Sequence, residues 1–144
     1  MKELLFISDF DGTISKEDFY MKIMKKYMPE KEKTTYLQFK AEEILDIDFL
    51  NDIFNHMNIS EKELEREILD LEIDNNLFET IDIIKELKGD LIILSAGCEY
   101  YIKKILIQHG IGDIPVYSSK GLYRKQGLYI TPDVSSPFYS SRYG

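Results

Sequence analysis

The sequence predicts an α/β protein in which a core of parallel strands is interrupted early by an inserted helical cap. The first observation is Leu4-Leu5-Phe6-Ile7-Ser8, which is apolar without alternation and ends abruptly in Asp9-Phe10-Asp11-Gly12-Thr13. That is the pattern of a buried parallel strand running into a loop. The second is the stretch 14–77, whose apolar residues recur only at helical spacing. The third is another short apolar run, Leu91-Ile92-Ile93-Leu94, which leads into Ser95-Ala96-Gly97.

Each element follows from local pattern. Phe19, Ile23, Met24 and Tyr27 predict a helix that Pro29 stops. Thr34 is placed to cap a second helix through Tyr36, Leu37 and Ile44, and Asp48 a third through Phe54. Ser60 with Glu63 forms a capping box ahead of Leu64, Ile68 and Leu71. No strand is expected in this region. Phe78 to Leu87 then reads as an amphipathic helix closed by Lys88-Gly89, where a basic residue and a glycine are both favoured. Tyr100 to His109 is a helix closed by Gly110, and Pro115 to Ser118 a short third strand. Leu122-Tyr123 and Leu128-Tyr129-Ile130 flank Lys125-Gln126-Gly127 as a hairpin. The tail from Thr131 to Gly144 has no period. The division is therefore a Rossmann-like core of 1–13 and 78–144 with a helical cap of 14–77.

Composition narrows the function. The chain has 144 residues, 44% hydrophobic and 31% charged, which suits one folded domain with a modest insertion. Its 26 acidic and 18 basic side chains leave a net charge of −8. That balance argues against binding nucleic acid or an anionic membrane, both of which select basic patches. No apolar run approaches the roughly 20 residues of a membrane-spanning helix. Asp9 and Asp11 break the N-terminal apolar stretch too early for a secretory signal. The single cysteine, Cys98, excludes an intrachain disulfide, so a cytoplasmic protein is expected.

Asp9 and Asp11 stand two apart at a strand end. Alternate side chains of extended backbone share a side, so both carboxylates can face one pocket while Phe10 turns to the core. Two adjacent acids repel unless a cation sits between them or one holds a proton. The amides of Gly12 and Thr13, with the Thr13 hydroxyl, can meet an anion; equally, Asp-Gly-Thr is an ordinary turn. Ser95, followed by Ala96 and Gly97, suits a phosphate oxygen, and its alternative is an N-cap for the next helix. Two such strand ends in one sheet, one acidic and one hydroxyl-bearing, say more than either.

Asp9-Phe10-Asp11-Gly12-Thr13 after an apolar strand, a helical insertion, then Ser95 after a second strand resembles the haloacid dehalogenase-like (HAD) phosphatases. The pattern is most similar to their phosphoserine phosphatase-like branch, and within it to the methylthiopentenyl-phosphate phosphatases. The resemblance spans essentially the whole chain. It implies that Asp9 is the nucleophile and forms an aspartyl-phosphate, and that Asp11 is the general acid and base. It implies Mg²⁺ on the Asp9 carboxylate and the Asp11 backbone carbonyl, with Ser95 and its neighbours Ala96 and Gly97 on the phosphate. Asp18 stands where the branch often has an acidic substrate-contacting residue, although an acid at a helix start is also favoured by the dipole. The implied partner is a small phosphorylated metabolite.

The pattern departs from the family in its second half. The family uses a later lysine on the phosphate and a later strand whose acid completes the Mg²⁺ shell. Lys120 and Lys125 fall too early, on the expected hairpin, and Glu99, Asp113 and Asp133 end no apolar strand. The chain thus reads as the N-terminal two-thirds of such an enzyme, with impaired activity. The rivals are a non-catalytic domain that keeps the fold and a phosphotransferase of the same family. Without the later strand, Leu4 to Ile7 is expected at a sheet edge bearing neither charge nor proline, which invites a homodimer. The cap's sole arginine, Arg66, lies among Glu63, Glu65 and Glu67 on an expected solvated face, which disfavours phosphoserine as substrate.

Overall fold

The structure, a computed structural model, describes residues 3–143. Met1, Lys2 and Gly144, which the expected core boundaries include, lie outside the described residues. Four strands, β1 (Leu5–Ser8), β2 (Asp90–Cys98), β3 (Val116–Arg124) and β4 (Gly127–Thr131), form one sheet in that order. β1 and β2 are parallel, with Leu5 opposite Asp90 and Ser8 opposite Ile93. β2 and β3 are also parallel, and β3 and β4 make the antiparallel hairpin. The residues after Ser8 therefore leave β1 beside the C-terminal half of the adjacent parallel strand β2, at the kind of edge where open α/β sheets bind ligands.

Between β1 and β2 the chain forms α1 (Phe19–Tyr27), a 3-10 turn at Pro29–Lys33, α2 (Thr35–Lys40), α3 (Asp46–Asn55), α4 (Glu61–Leu69) and α5 (Leu77–Glu86). α6 (Glu99–Gln108) connects β2 to β3. Pro29 ends α1 as its missing N–H requires. The capping box holds: Glu63 N donates to Ser60 Oγ at 3.2 Å, and Ser60 N to Glu63 Oε2 at 2.8 Å. α5 closes with a Schellman pair, Lys88 N to Lys85 O and Gly89 N to Ile84 O, each 2.9 Å. Lys88, at φ +55°, takes the left-handed position rather than Gly89. Gly89 is needed for space instead, because a Cβ there would stand 2.8 Å from the Phe6 ring.

Phe10, Phe19, Phe49, Phe54 and Tyr101 are almost wholly buried in one continuous core. Each such ring contributes about 1.5–3 kcal/mol by leaving water. The helical stretch is fastened to the hairpin by Asn51 of α3, which pairs with the β4 backbone like an added strand residue. Its Nδ2 donates to Ile130 O at 2.9 Å, and its Oδ1 accepts from Ile130 N at 2.8 Å.

Several local expectations are corrected. β1 is not covered on both faces: Leu5 and Ile7 are 58% and 55% exposed, and among the described residues only β2 pairs with it. β2 does not stop at Leu94 but continues through Ser95, Ala96 and Gly97 to Cys98, because Cys98 still pairs with Ser119. Ser95 is consequently a strand residue, not a helix N-cap. The third strand and the first arm of the hairpin are one strand, β3. α2 ends before Ile44, and Asp48 lies inside the first turn of α3 rather than capping it. Thr34 occupies the N-cap position of α2 without making a side-chain cap bond. Glu67 is not solvated but 6% exposed, held by Lys26, by the Tyr27 hydroxyl at 2.8 Å and by Lys22 at 3.5 Å.

Candidate active site

One cavity of about 160 Å³ is lined by Asp9, Asp11, Asp18, Ser95, Ala96 and Gly97, together with Tyr20, Phe39, Asp46, Phe49, Leu50 and Tyr101. The fold thus brings together the two acids that follow β1 and the small residues that end β2. Gly12 and Thr13 do not line this cavity. Their amides are already engaged, Gly12 N by Ser15 Oγ at 3.1 Å and Thr13 N by Phe10 O at 3.1 Å.

Asp9 is the more exposed acid, and its Oδ1 accepts from Phe10 N at 2.7 Å. Partial burial and the nearby Asp18 charge raise its pKa, while that amide opposes the rise. Asp11 is held at both oxygens: Phe19 N donates to Oδ1 at 2.9 Å, and the Tyr101 hydroxyl to Oδ2 at 2.7 Å. Burial pushes its pKa up to about 6, with Asp18 and Asp9 adding and the two donors opposing. Asp18 sits at the N-cap position of α1 but makes no cap bond. Its carboxylate instead leans over Gly12, where a Cβ would come within 2.7 Å of Asp18 Oδ1 and where φ is +71°. Glycine serves that position for both reasons.

Ser95 is 7% exposed, and its Oγ accepts from Gly97 N at 3.0 Å. Its own proton has no acceptor among the described residues, which leaves it available to an anion in the cavity. Cys98 is fully buried, and burial pushes its thiol up to about 12, so it is an inert packing residue. Lys120 lies on β3 and is engaged by Glu99 at 3.1 Å and Asp133 at 3.8 Å; Lys125 is in the hairpin turn at φ +48°.

Among the described residues, the cavity wall carries four carboxylates, from Asp9, Asp11, Asp18 and Asp46, and no basic side chain. A phosphate dianion cannot enter such a site without a counter-charge. The donors fit a hard divalent cation: Mg²⁺ is commonly held by one or two carboxylates together with substrate phosphate and water. Among the described residues, no three His, Cys, Asp or Glu side chains converge on one metal position.

Sequence reasoning missed Tyr101 and Asp46. Tyr101 was discoverable in part: with Ile102, Ile105 and Leu106 it marks the buried stripe of α6, and a buried tyrosine hydroxyl needs a partner. Asp46 follows an exposed loop, and no local pattern distinguishes it from any other helix-start acid.

Two aspartates beyond the first strand of an α/β sheet thus meet a serine strand end in one cavity. The family model described as "Putative Phosphatase" matches residues 4–130, and the chain belongs to that family. Two curated relatives are named 2-hydroxy-3-keto-5-methylthiopentenyl-1-phosphate phosphatase. The one from Brevibacillus brevis is 24% identical over 135 residues, which is 90% of this chain and 60% of the relative. That from Bacillus pumilus is 27% identical over 108 residues, 74% of this chain and 47% of the relative. The chain thus spans between about half and three-fifths of their length. Among solved structures, a HAD family hydrolase from Salmonella enterica serovar Typhi superposes with a TM-score of 0.73 at 14% identity, covering 90% of this chain and 45% of that one. A phospho-aspartyl intermediate analogue of phosphoserine phosphatase gives 0.69 at 17% identity, covering 90% and 62%.

Proposed function

We propose that this chain forms the nucleophile and acid–base half of a Mg²⁺-dependent phosphomonoesterase. The observation that carries the reading is that Asp9 and Asp11, leaving β1, share one cavity with Ser95 of β2. An Asp9 carboxylate oxygen attacks phosphorus, forming a P–O bond as the bond to the leaving oxygen breaks, and Asp11 gives that oxygen its proton. Asp11 then takes a proton from water, whose oxygen attacks phosphorus and displaces the Asp9 carboxylate, releasing inorganic phosphate. The free Ser95 hydroxyl donates to a phosphoryl oxygen throughout. Mg²⁺, held by the Asp9 carboxylate and the Asp11 backbone carbonyl, would supply the counter-charge that lets a dianion approach these acids.

The substrate we infer is a small phosphate monoester with an uncharged, partly apolar leaving group. Tyr20, Phe39, Phe49 and Leu50 form the apolar wall, and Asp18 and Asp46 repel an anionic leaving group. The lining contains no arginine for a substrate carboxylate, which speaks against phosphoserine. The names of the curated relatives agree with an uncharged leaving group. In this reading 14–77 acts as a cap over the core, and the protein works in the cytoplasm. No helix among the described residues is long and apolar enough to cross a membrane. The exposed Leu4, Leu5 and Ile7 along β1 support pairing with a second copy.

Among the described residues no basic side chain lines the cavity, which supports low activity, since one positioned electrostatic donor is worth about a hundredfold in rate or more. It also favours the second reading, a non-catalytic domain that binds phosphate. The two are separated by p-nitrophenyl phosphate hydrolysis with Mg²⁺. The proposal expects slow turnover that Asp9→Asn abolishes; phosphate binding with no turnover above Asp9→Asn favours the second reading.

A further inference from the structure

The Tyr101 ring is almost fully buried against Phe19 at 4.6 Å, Phe54 at 6.1 Å and Phe10 at 6.3 Å between centroids, and the residue borders the cavity. Phenylalanine would fill the same space without a polar atom to satisfy. The hydroxyl's one acceptor is Asp11 Oδ2, at 2.7 Å. Gly97 makes the meeting possible, because a Cβ there would overlap the Tyr101 hydroxyl and stand 2.5 Å from Asp11 Oδ2. The other Asp11 oxygen accepts the amide of Phe19, the first residue of α1. First-turn amides have no carbonyl within their own helix, and Asp18, at the N-cap position, makes no cap bond. Asp11 therefore caps α1 from outside it.

We propose that Tyr101 is a positioning residue for Asp11: its hydroxyl and the Phe19 amide grip opposite oxygens, so the orientation of the acid–base carboxyl is set jointly by α6 and α1. An ionised carboxylate offers about four acceptor sites. Two are held by protein donors, which leaves the others for the proton exchanged with the leaving group or water in the cavity. Removing one grip frees the carboxyl to rotate about its own axis. Proton transfer suffers from that loss of geometry, whereas attack by Asp9 does not depend on it.

The acid–base part of this inference rests on the function proposed above; the positioning part does not, and the test separates them. In Tyr101→Phe the amide hydrogen of Phe19 should exchange roughly tenfold faster than in the wild type. The Ile23 amide, in the middle of α1, should be unchanged, which also reports that the helix remains folded. Asp11→Ala should give the same acceleration, and adding Tyr101→Phe to it should give no more. Unchanged Phe19 exchange in Tyr101→Phe overturns the positioning claim whether or not the chain is active. In single-turnover kinetics, Tyr101→Phe should slow release of the leaving group about tenfold for an alkyl phosphate, whose leaving group needs a proton. It should change single-turnover release of p-nitrophenol about twofold or less, because that leaving group needs none, while the later hydrolysis of the phospho-enzyme, which uses Asp11 as base, slows alike for both. Equal losses in leaving-group release for the two substrates would assign Tyr101 a packing role and overturn the acid–base part. Turnover that survives Asp9→Asn would overturn the parent reading and leave the exchange result to judge the positioning claim alone.

Discussion

Gly97, next to last in β2, leaves the space that the Asp11 carboxylate occupies: a Cβ at Gly97 would stand 2.5 Å from Asp11 Oδ2. The serine strand end and the acidic strand end are thus fitted to one another through a missing side chain. Gly97→Ala should displace Asp11 and Tyr101 together and destabilise the protein by about 1–3 kcal/mol, the usual cost of overpacking. Urea denaturation of the two proteins measures this. Ala96→Gly, on the same cavity wall, should not reproduce the displacement of Asp11 in a crystal structure.

Asp11 makes metal-free stability depend on pH. Its folded pKa of about 6 lies above the ordinary carboxylate value of 3.8, so between these values the folded protein binds more protons than the unfolded one. By linkage, stability then falls as pH rises from about 4 through about 6. Asp11→Asn should flatten that slope. Thermal melts in chelator across this range are the measurement. Mg²⁺ should raise Tm at pH 7.5 and have less effect at pH 5, where Asp11 holds a proton.

Glu67 has the opposite sign. Lys26, Tyr27 and Lys22 hold its carboxylate below the ordinary range, against the effect of burial. Its contribution is present above the unfolded value near 4.5 and lost as pH falls through the lower folded value. Glu67→Ala should cost about 2 kcal/mol at pH 7, because it leaves Lys26 and the Tyr27 hydroxyl without their acceptor. The difference from wild type should shrink as denaturation is repeated toward pH 3.

Asn51 joins α3 to β4 through both of its amide atoms. Asn51→Asp keeps the shape but loses the donor, leaving Ile130 O facing a carboxylate oxygen. That change should cost about 1–3 kcal/mol. Hydrogen exchange should show the loss concentrated in β4 and α3, with β1 and β2 little affected.

These residues also show what a sequence can and cannot report. Leu4–Ser8, the Ser60–Glu63 capping box and the helical spacing of Phe19, Ile23 and Met24 were legible because the signal is local: adjacent residues state their own periodicity. Asp9, Asp11 and Ser95 were legible as candidates because they follow apolar runs. The extension of β2 through Ser95-Ala96-Gly97-Cys98 was not, since small residues carry little strand preference and the state is imposed by pairing of Cys98 with Ser119. The exposure of Leu5 and Ile7 was hidden for a related reason, because an apolar strand reads the same whether or not its second face is covered. Tyr101 with Asp11, and Asn51 with Ile130, are 90 and 79 residues apart. No window of sequence contains either pair.

The central claim, that Asp9 is a nucleophile, is tested most directly by trapping its product. The protein would be mixed with excess p-nitrophenyl phosphate and Mg²⁺, quenched in acid, and examined by mass spectrometry. The account predicts one hydroxylamine-sensitive phosphate adduct, mapped to the peptide containing Asp9 and absent from Asp9→Asn. Slow hydrolysis of the aspartyl-phosphate should make it accumulate more in Asp11→Asn, where the water-activating base is gone. No adduct on Asp9 in either protein, together with phosphate release that Asp9→Asn leaves unchanged, would contradict it.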